Sequence, residues 1–240
     1  MTLNMTTHGT GKTLVFFHGW GFDSHIWRPL LPWLESRYQI CLVDLPGFGL
    51  SSYMEWETFK STLLSQLPAY FSVIGWSLGG LYATRLAVEE PQHIRHLINI
   101  ASTPRFIKDS EWPGIDEQIF TGFYDNLAKD PKKTLAEFIR LQLNNQQVDA
   151  VNFMRPPALD GLGAGLKQLA EWDLRKQLLH FTKPACYLFG RLDAITPHQT
   201  MAVMQNHYPD FDYVMFPKAA HMPFLSHSQA FLALLESFIQ

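Results

Sequence analysis

Two kinds of apolar pattern alternate along the chain. Short runs at 14–17, 40–43, 71–74 and 96–101, apolar apart from Ser72, His96 and Asn99, have the length of strands buried on both faces of a sheet. Between them, apolar residues recur every three or four positions. Ile26, Trp27, Leu30, Leu31 and Leu34 form one such set, and Phe59, Leu63, Leu64 and Leu67 form another within 56–68; both spacings predict amphipathic helices. A further helix is expected over 80–89, closed by Pro91. Strands alternating with helices predict an α/β fold, with a mostly parallel sheet flanked by helices on both faces. Right-handed crossovers then bring the C-terminal ends of the parallel strands to one edge, where a site belongs.

From 104 to 172 the strand-like runs vanish. Ile119, Phe123 and Leu127, then Leu135, Phe138, Ile139, Gln142 and Leu143, keep helical spacing. Strand runs return at 185–189 and 213–216, and a terminal amphipathic helix is expected over 228–239. The pattern therefore predicts a core of residues 1–103 and 173–240, with 104–172 inserted as an all-helical lid.

Composition narrows the function classes. The chain has 240 residues, 47% hydrophobic and 17% charged, with formal net charge −3 and pI near 6.3. That balance offers no electrostatic footprint for nucleic acid or an anionic membrane. No apolar run reaches the length of a membrane span, and residues 1–11 lack the apolar segment of a secretion signal. Cys41 and Cys186 lie in apolar runs and read as reduced core residues, so the expectation is a cytoplasmic protein. There is no P-loop, no His-Glu-x-x-His and no Gly-x-Gly-x-x-Gly after a strand, so no nucleotide, metal or other cofactor is expected. His93 and His96 have a ligand-like spacing but straddle a helix-to-strand link with no third ligand near.

The chemistry centres on Gly75-Trp76-Ser77-Leu78-Gly79. Strand, glycine-flanked turn and helix is the context of a nucleophile elbow, although a plain glycine-rich turn has the same five letters. A serine hydroxyl needs a base, and the base needs an orienting acid. Asp193 stands three residues past Gly190, which ends a strand run, and His221 follows the last strand run. Asp44 also follows a strand and is the alternative acid; its Pro46-Gly47-Phe48-Gly49 context fits a structural turn. His18, ahead of Gly19-Trp20-Gly21, is read as a hydrogen-bonding brace for its loop. Leu78, at the start of the elbow helix, offers a backbone N–H to a developing oxyanion.

Taken together, His18-Gly19-Trp20-Gly21, Asp44 with Pro46-Gly47-x-Gly49-x-Ser51, Gly75-x-Ser77-x-Gly79, Asp193 and His221 resemble the α/β-hydrolase superfamily across nearly the whole chain. The resemblance implies a triad of Ser77, Asp193 and His221 and makes the Trp20 N–H the second oxyanion donor. The Trp20 side chain is expected in a pocket wall, with a plain core position as the alternative. Within the superfamily, the motifs around Gly19, Asp44, Ser77 and His221, together with Glu111-Trp112-Pro113-Gly114-Ile115 in the lid, are similar to the pimeloyl-acyl carrier protein methyl ester esterase family of biotin synthesis. That resemblance implies a carrier-bound pimeloyl methyl ester as substrate and a monomeric enzyme. It also implies an acyl site of Trp20, Ser77, Leu78 and His221 with Phe138, Ile139, Arg140, Leu141 and Gln142. The stretch from Asn144 to Gly165 departs from the family, and Pro156-Pro157 with Gly161, Gly163 and Gly165 suggests a different local path. Lys129, Lys132, Lys133 and Arg140 against Asp130 and Glu137 make a small positive patch suited to an acidic carrier. The alternatives are an esterase of small free esters and a ligand sensor without hydrolysis on the same fold.

Overall fold

A computed structural model describes residues 2–143 and 157–240. Seven strands form one sheet: β1 (Met5–His8), β2 (Thr13–Phe17), β3 (Gln39–Val43), β4 (Phe71–Trp76), β5 (Ile94–Ile100), β6 (Ala185–Gly190) and β7 (Asp212–Phe216). Their order is β1-β3-β2-β4-β5-β6-β7. β1 pairs antiparallel with β3, and the other pairings are parallel. The central strands are buried on both faces over most of their length, which is why they read as largely apolar runs. In β2, Val15 and Phe17 enter one core while Leu14 and Phe16 enter the other; in β3, Cys41 and Val43 oppose Ile40 and Leu42 in the same way. Cys41 and Cys186 are free, buried and on opposite sides of the sheet. Burial pushes the Cys186 thiol up to about 12.

The helices are α1 (Leu31–Leu34), α2 (Trp56–Gln66), α3 (Leu78–Glu89), α4 (Glu117–Lys129), α5 (Pro131–Leu143), α6 (Leu159–Glu171), α7 (Arg175–Leu178), α8 (Gln199–His207), α9 (Pro223–Ser226) and α10 (Ser228–Ile239). Phe59 and Leu63 of α2 pack with Leu78, Leu81 and Leu86 of α3 in one core, whereas Leu34, Phe231, Leu235 and Ile239 serve the other. The helix expected over 26–34 is instead a 3-10 turn, Ser24–Leu30, followed by the short α1. Pro29 lies inside that turn, and a proline has no N–H for an α-helical bond. Asp23 caps the turn by accepting the His25 N–H.

Between β5 and β6 the described residues contain three long helices, α4 to α6. The chain enters and leaves this segment through one ion-pair cluster. Arg105 pairs with Asp173 at 3.0 Å, and Arg175 pairs with Asp109 at 2.9 Å and Asp173 at 2.7 Å. Trp112 is buried there, its indole N–H shared between Thr103 Oγ1 and the Arg105 carbonyl. A side chain at Gly114 would collide with the Phe106 backbone, so the Trp-Pro-Gly run folds back on the root of the segment. α6 runs unbroken through Gly161, Gly163 and Gly165, and two of these glycines are contact points. A Cβ at Gly161 would strike the Gly47 backbone, and one at Gly165 the Trp20 ring. The residues from 144 to 156, where the family resemblance weakens, lie outside the described ones.

Candidate active site

Ser77 sits between β4 and α3 with φ 55° and ψ −120°, a left-handed conformation that costs a non-glycine residue about 1–3 kcal/mol. Its surroundings fix that conformation. Ser77 N–H donates to the Ile100 carbonyl, and the Ser77 carbonyl accepts from Ser102 Oγ and from the Gly80 and Leu81 amides. A side chain at Gly75 would run into the Gly79 carbonyl, and one at Gly79 into the Phe17 and His18 carbonyls. Both glycines of the pentapeptide are therefore required by close backbone approach.

Asp193 and His221 are brought together at the same edge. Gly190, at the end of β6, has no side chain, and the backbone of Ala219 and Ala220 passes over it. Leu192 N–H bonds the Ala219 carbonyl at 2.9 Å, locking the two loops side by side. Asp193 Oδ2 then accepts from His221 Nδ1 at 2.7 Å, with both side chains buried. The other carboxylate oxygen accepts the Ile195 and Thr196 amides at 2.8 and 3.0 Å. The remaining imidazole nitrogen, His221 Nε2, is buried without a hydrogen-bond partner among the described residues. No hydrogen bond joins it to Ser77 Oγ in this structure; such contacts commonly tighten only when substrate binds.

Trp76 ties the parts together, a role the motif did not announce because it occupies a variable position. Its ring lies against Gly19, where a Cβ would come within 2.9 Å. It is 5.6 Å from the His221 ring, and its N–H donates to the His221 carbonyl at 2.8 Å. One side chain adjoining the serine thus touches both the Gly19-Trp20 loop and the histidine loop.

His18 braces that first loop from below. Nδ1 donates to the Gly19 carbonyl at 2.8 Å and Nε2 accepts the Leu45 amide at 2.9 Å, which requires the neutral ring. Burial lowers its pKa, and the charges of Asp44 and Asp23 only partly oppose the shift. Asp44, the alternative acid, is fully engaged elsewhere. It accepts the Ser24 and Leu50 amides and the Asn4 side chain. Burial opposes its charge, but His18 and these hydrogen bonds together hold the carboxyl below the usual range.

A cavity of about 320 Å³ opens at Ser77. Its walls are Phe106 and Ile115 beside the root, Ile119, Phe120 and Phe123 of α4, Phe138 and Leu141 of α5, Leu166 and Leu169 of α6, and Ala194 and Ile195. Of the residues expected to hold an acyl chain, Ser77, Phe138 and Leu141 line it. Leu78 and His221 are buried and are absent from its lining. Ile139 packs toward the opposite core, Arg140 is exposed, and buried Gln142 turns back to donate to the Phe138 carbonyl. A helix cannot present five consecutive residues to one surface. The Trp20 side chain also stands behind the wall. It is buried, its N–H donates to the Leu162 carbonyl, and its ring meets Phe123 and Phe138 edge-on. In the sequence, Phe123 and Ile119 show only helix spacing, which does not say what a helix faces. The amides of Trp20 and Leu78 make no hydrogen bond among the described residues. No cluster of three metal-ligating side chains occurs among the described residues, and no described helix is long and apolar enough to cross a membrane.

Residues 14–234 match the Alpha/beta hydrolase family. The chain is 56% identical over 240 residues, all of both chains, to the pimeloyl-[acyl-carrier protein] methyl ester esterase of Legionella pneumophila (strain Paris). It is 37% identical over 253 residues, again with full coverage of both, to the protein of the same name from Aeromonas hydrophila. Among solved structures it resembles an esterase from Exiguobacterium antarcticum, with a TM-score of 0.90 at 20% identity over 99% of this chain and 95% of the other; that likeness concerns the fold.

Proposed function

The chain belongs to the alpha/beta hydrolase family, and from that premise we propose that it is a serine carboxylesterase acting on the methyl ester of a pimeloyl chain borne by an acyl carrier protein. One observation carries the chemistry: a buried imidazole, oriented by a carboxylate through one nitrogen and unpartnered at the other, on a loop held to Trp76, the residue before a serine that opens into an apolar cavity. The names of the full-length relatives carry the substrate.

Ser77 Oγ attacks the ester carbonyl carbon while His221 Nε2 takes the hydroxyl proton. Asp193 keeps the proton on Nδ1 and steadies the imidazolium that forms. The oxyanion of the tetrahedral intermediate accepts hydrogen bonds from the Leu78 and Trp20 amides, at the start of α3 and in the loop after β2. Collapse breaks the bond to the methoxy oxygen, which takes the proton from His221 and leaves as methanol. Water then gives a proton to His221 and attacks the acyl-serine, and the second collapse returns the proton to Ser77 and frees the carboxylate. The helical segment 104–172 serves as the lid, with Phe123, Phe138 and Leu141 around the acyl chain. Exposed Lys132, Lys133 and Arg140 on α5 receive the acidic carrier.

Reversing those three cations to Glu tests the carrier. The ratio of kcat/KM on the carrier-bound ester to that on a small neutral ester is expected to fall roughly tenfold at low salt, through lost steering and docking. High salt is expected to lower the wild-type ratio likewise. An unchanged ratio would remove the carrier from this face and favour small free esters as substrates.

A further inference from the structure

The cavity at Ser77 has one ionisable side chain in its lining, Glu137. Every other lining residue except Ser77 is apolar. Glu137 is exposed, as is Leu141 at 50%, one turn further along α5, whereas Ser77 is 3% exposed. The cavity therefore runs from a closed end at the serine to a solvent-facing rim that carries a carboxylate. No ion pair or hydrogen bond engages Glu137 among the described residues: Lys133, one turn before it, and Arg140, three residues after it, make no salt bridge to it. A volume of about 320 Å³ equals about ten groups of water size, at ~30 Å³ each. That space holds an ester group and several methylenes, and Ser77 and Glu137 border the same space.

From this placement we infer that Glu137 is a specificity-determining residue that excludes acyl chains whose distal end is a free carboxylate. The site then takes the methyl ester of a diacid only when the other end is masked as a neutral ester, thioester or amide. A second carboxylate beside Glu137 meets a like charge at the border of a low-dielectric cavity, where repulsion exceeds its value in bulk water. A thioester or ester meets none. The same charge leaves the reacting end untouched, because that end lies at the buried serine. The inference rests on the esterase reading and adds to it that a half-free diacid ester is refused.

The test uses the dimethyl and the monomethyl ester of pimelic acid, which differ only in the charge of the distal end. Wild-type enzyme at low salt is expected to prefer the dimethyl ester at least tenfold in kcat/KM after the factor of two for its equivalent ends. Glu137→Gln should reduce that preference to within about threefold, and Glu137→Lys should favour the monomethyl ester. Raising salt should shrink the preference in wild type and leave the ratio in Glu137→Gln nearly constant, which a merely structural role would not produce. If wild type hydrolyses both esters with the same preference as Glu137→Gln, the inference fails while the esterase reading stands. If wild type releases methanol from the carrier-bound ester but hydrolyses neither small ester, the inference fails and the esterase reading stands; if it hydrolyses none of the three, both fail.

Discussion

Asp193 and Asp44 are both buried carboxylates just past the end of a strand, and only their partners distinguish them. Asp193 divides its oxygens between two backbone amides and His221. Asp44 spends its own on Ser24, Leu50 and Asn4, where it holds a turn. Asp193→Asn is therefore expected to lower kcat by roughly 10⁴-fold, because the amide no longer fixes the imidazole tautomer. Asp44→Asn should instead cost stability, about 1–3 kcal/mol for weakened charged hydrogen bonds, with a far smaller loss of kcat per folded molecule. Chemical denaturation and turnover at equal folded concentration separate the two, and the reverse ranking would reassign the acid. His18 makes a prediction in pH. Its folded pKa lies below 6.5 because it is buried, so on acidification the unfolded chain takes up this proton first. The stability it contributes is present above pH 6.5 and is lost as pH falls toward the folded pKa, by up to about 1.4 kcal/mol per pH unit. Half-buried His96 is shifted in the same direction by burial, with Lys12 and Arg95 adding to it. The pH dependence of unfolding between 7 and 5 should accordingly lose slope in His18→Asn, by one proton at most, and an unchanged slope would contradict the neutral brace.

Helix α6 carries three glycines with different surroundings. Gly161 lies against the Gly47 backbone, whereas Gly163 has open space where a Cβ would go. Gly163→Ala should stabilise the protein by about 1 kcal/mol through helix propensity, while Gly161→Ala should destabilise it by prising α6 from the turn after β3. Thermal melts of the two variants check both signs. These glycines also show where sequence patterns stop informing. Gly161, Gly163 and Gly165, with Pro156-Pro157, suggest a local path different from the family's; the three glycines lie in a helix that approaches another backbone closely, and only the neighbour decides. The buried strands, α2, α3 and α10 were legible because each has an apolar period of its own. β1 was not, since Met5–His8 is a half-exposed edge strand without an apolar run, and α8 buries only Thr200 and Met204. At the site, the order of Ser77, Asp193 and His221 and the turn role of Asp44 could be read along the chain. The cavity wall could not, because Ile139, Arg140 and Gln142 leave it by helix rotation while Phe106 and Ile195 join it from distant loops.

At the scale of the whole molecule, a sheet edge carries the proposed reacting groups and the segment between β5 and β6 supplies most of the apolar wall. The segment is tied to the core by the Arg105, Asp109, Asp173 and Arg175 cluster at its root, by Tyr82 to Gln168 and by Trp20 to Leu162. In the proposed esterase, reaction and selection fall on separate parts, and changes in the wall should alter which ester is chosen without removing the nucleophile. Everything in the account passes through that nucleophile. The most direct measurement is methanol release from the carrier-bound pimeloyl methyl ester by wild type and by Ser77→Ala, each shown to be folded by its melting curve. The account predicts release by wild type and a rate lower by roughly 10⁴-fold or more in the variant. A folded Ser77→Ala protein that releases methanol at near wild-type rate would contradict it.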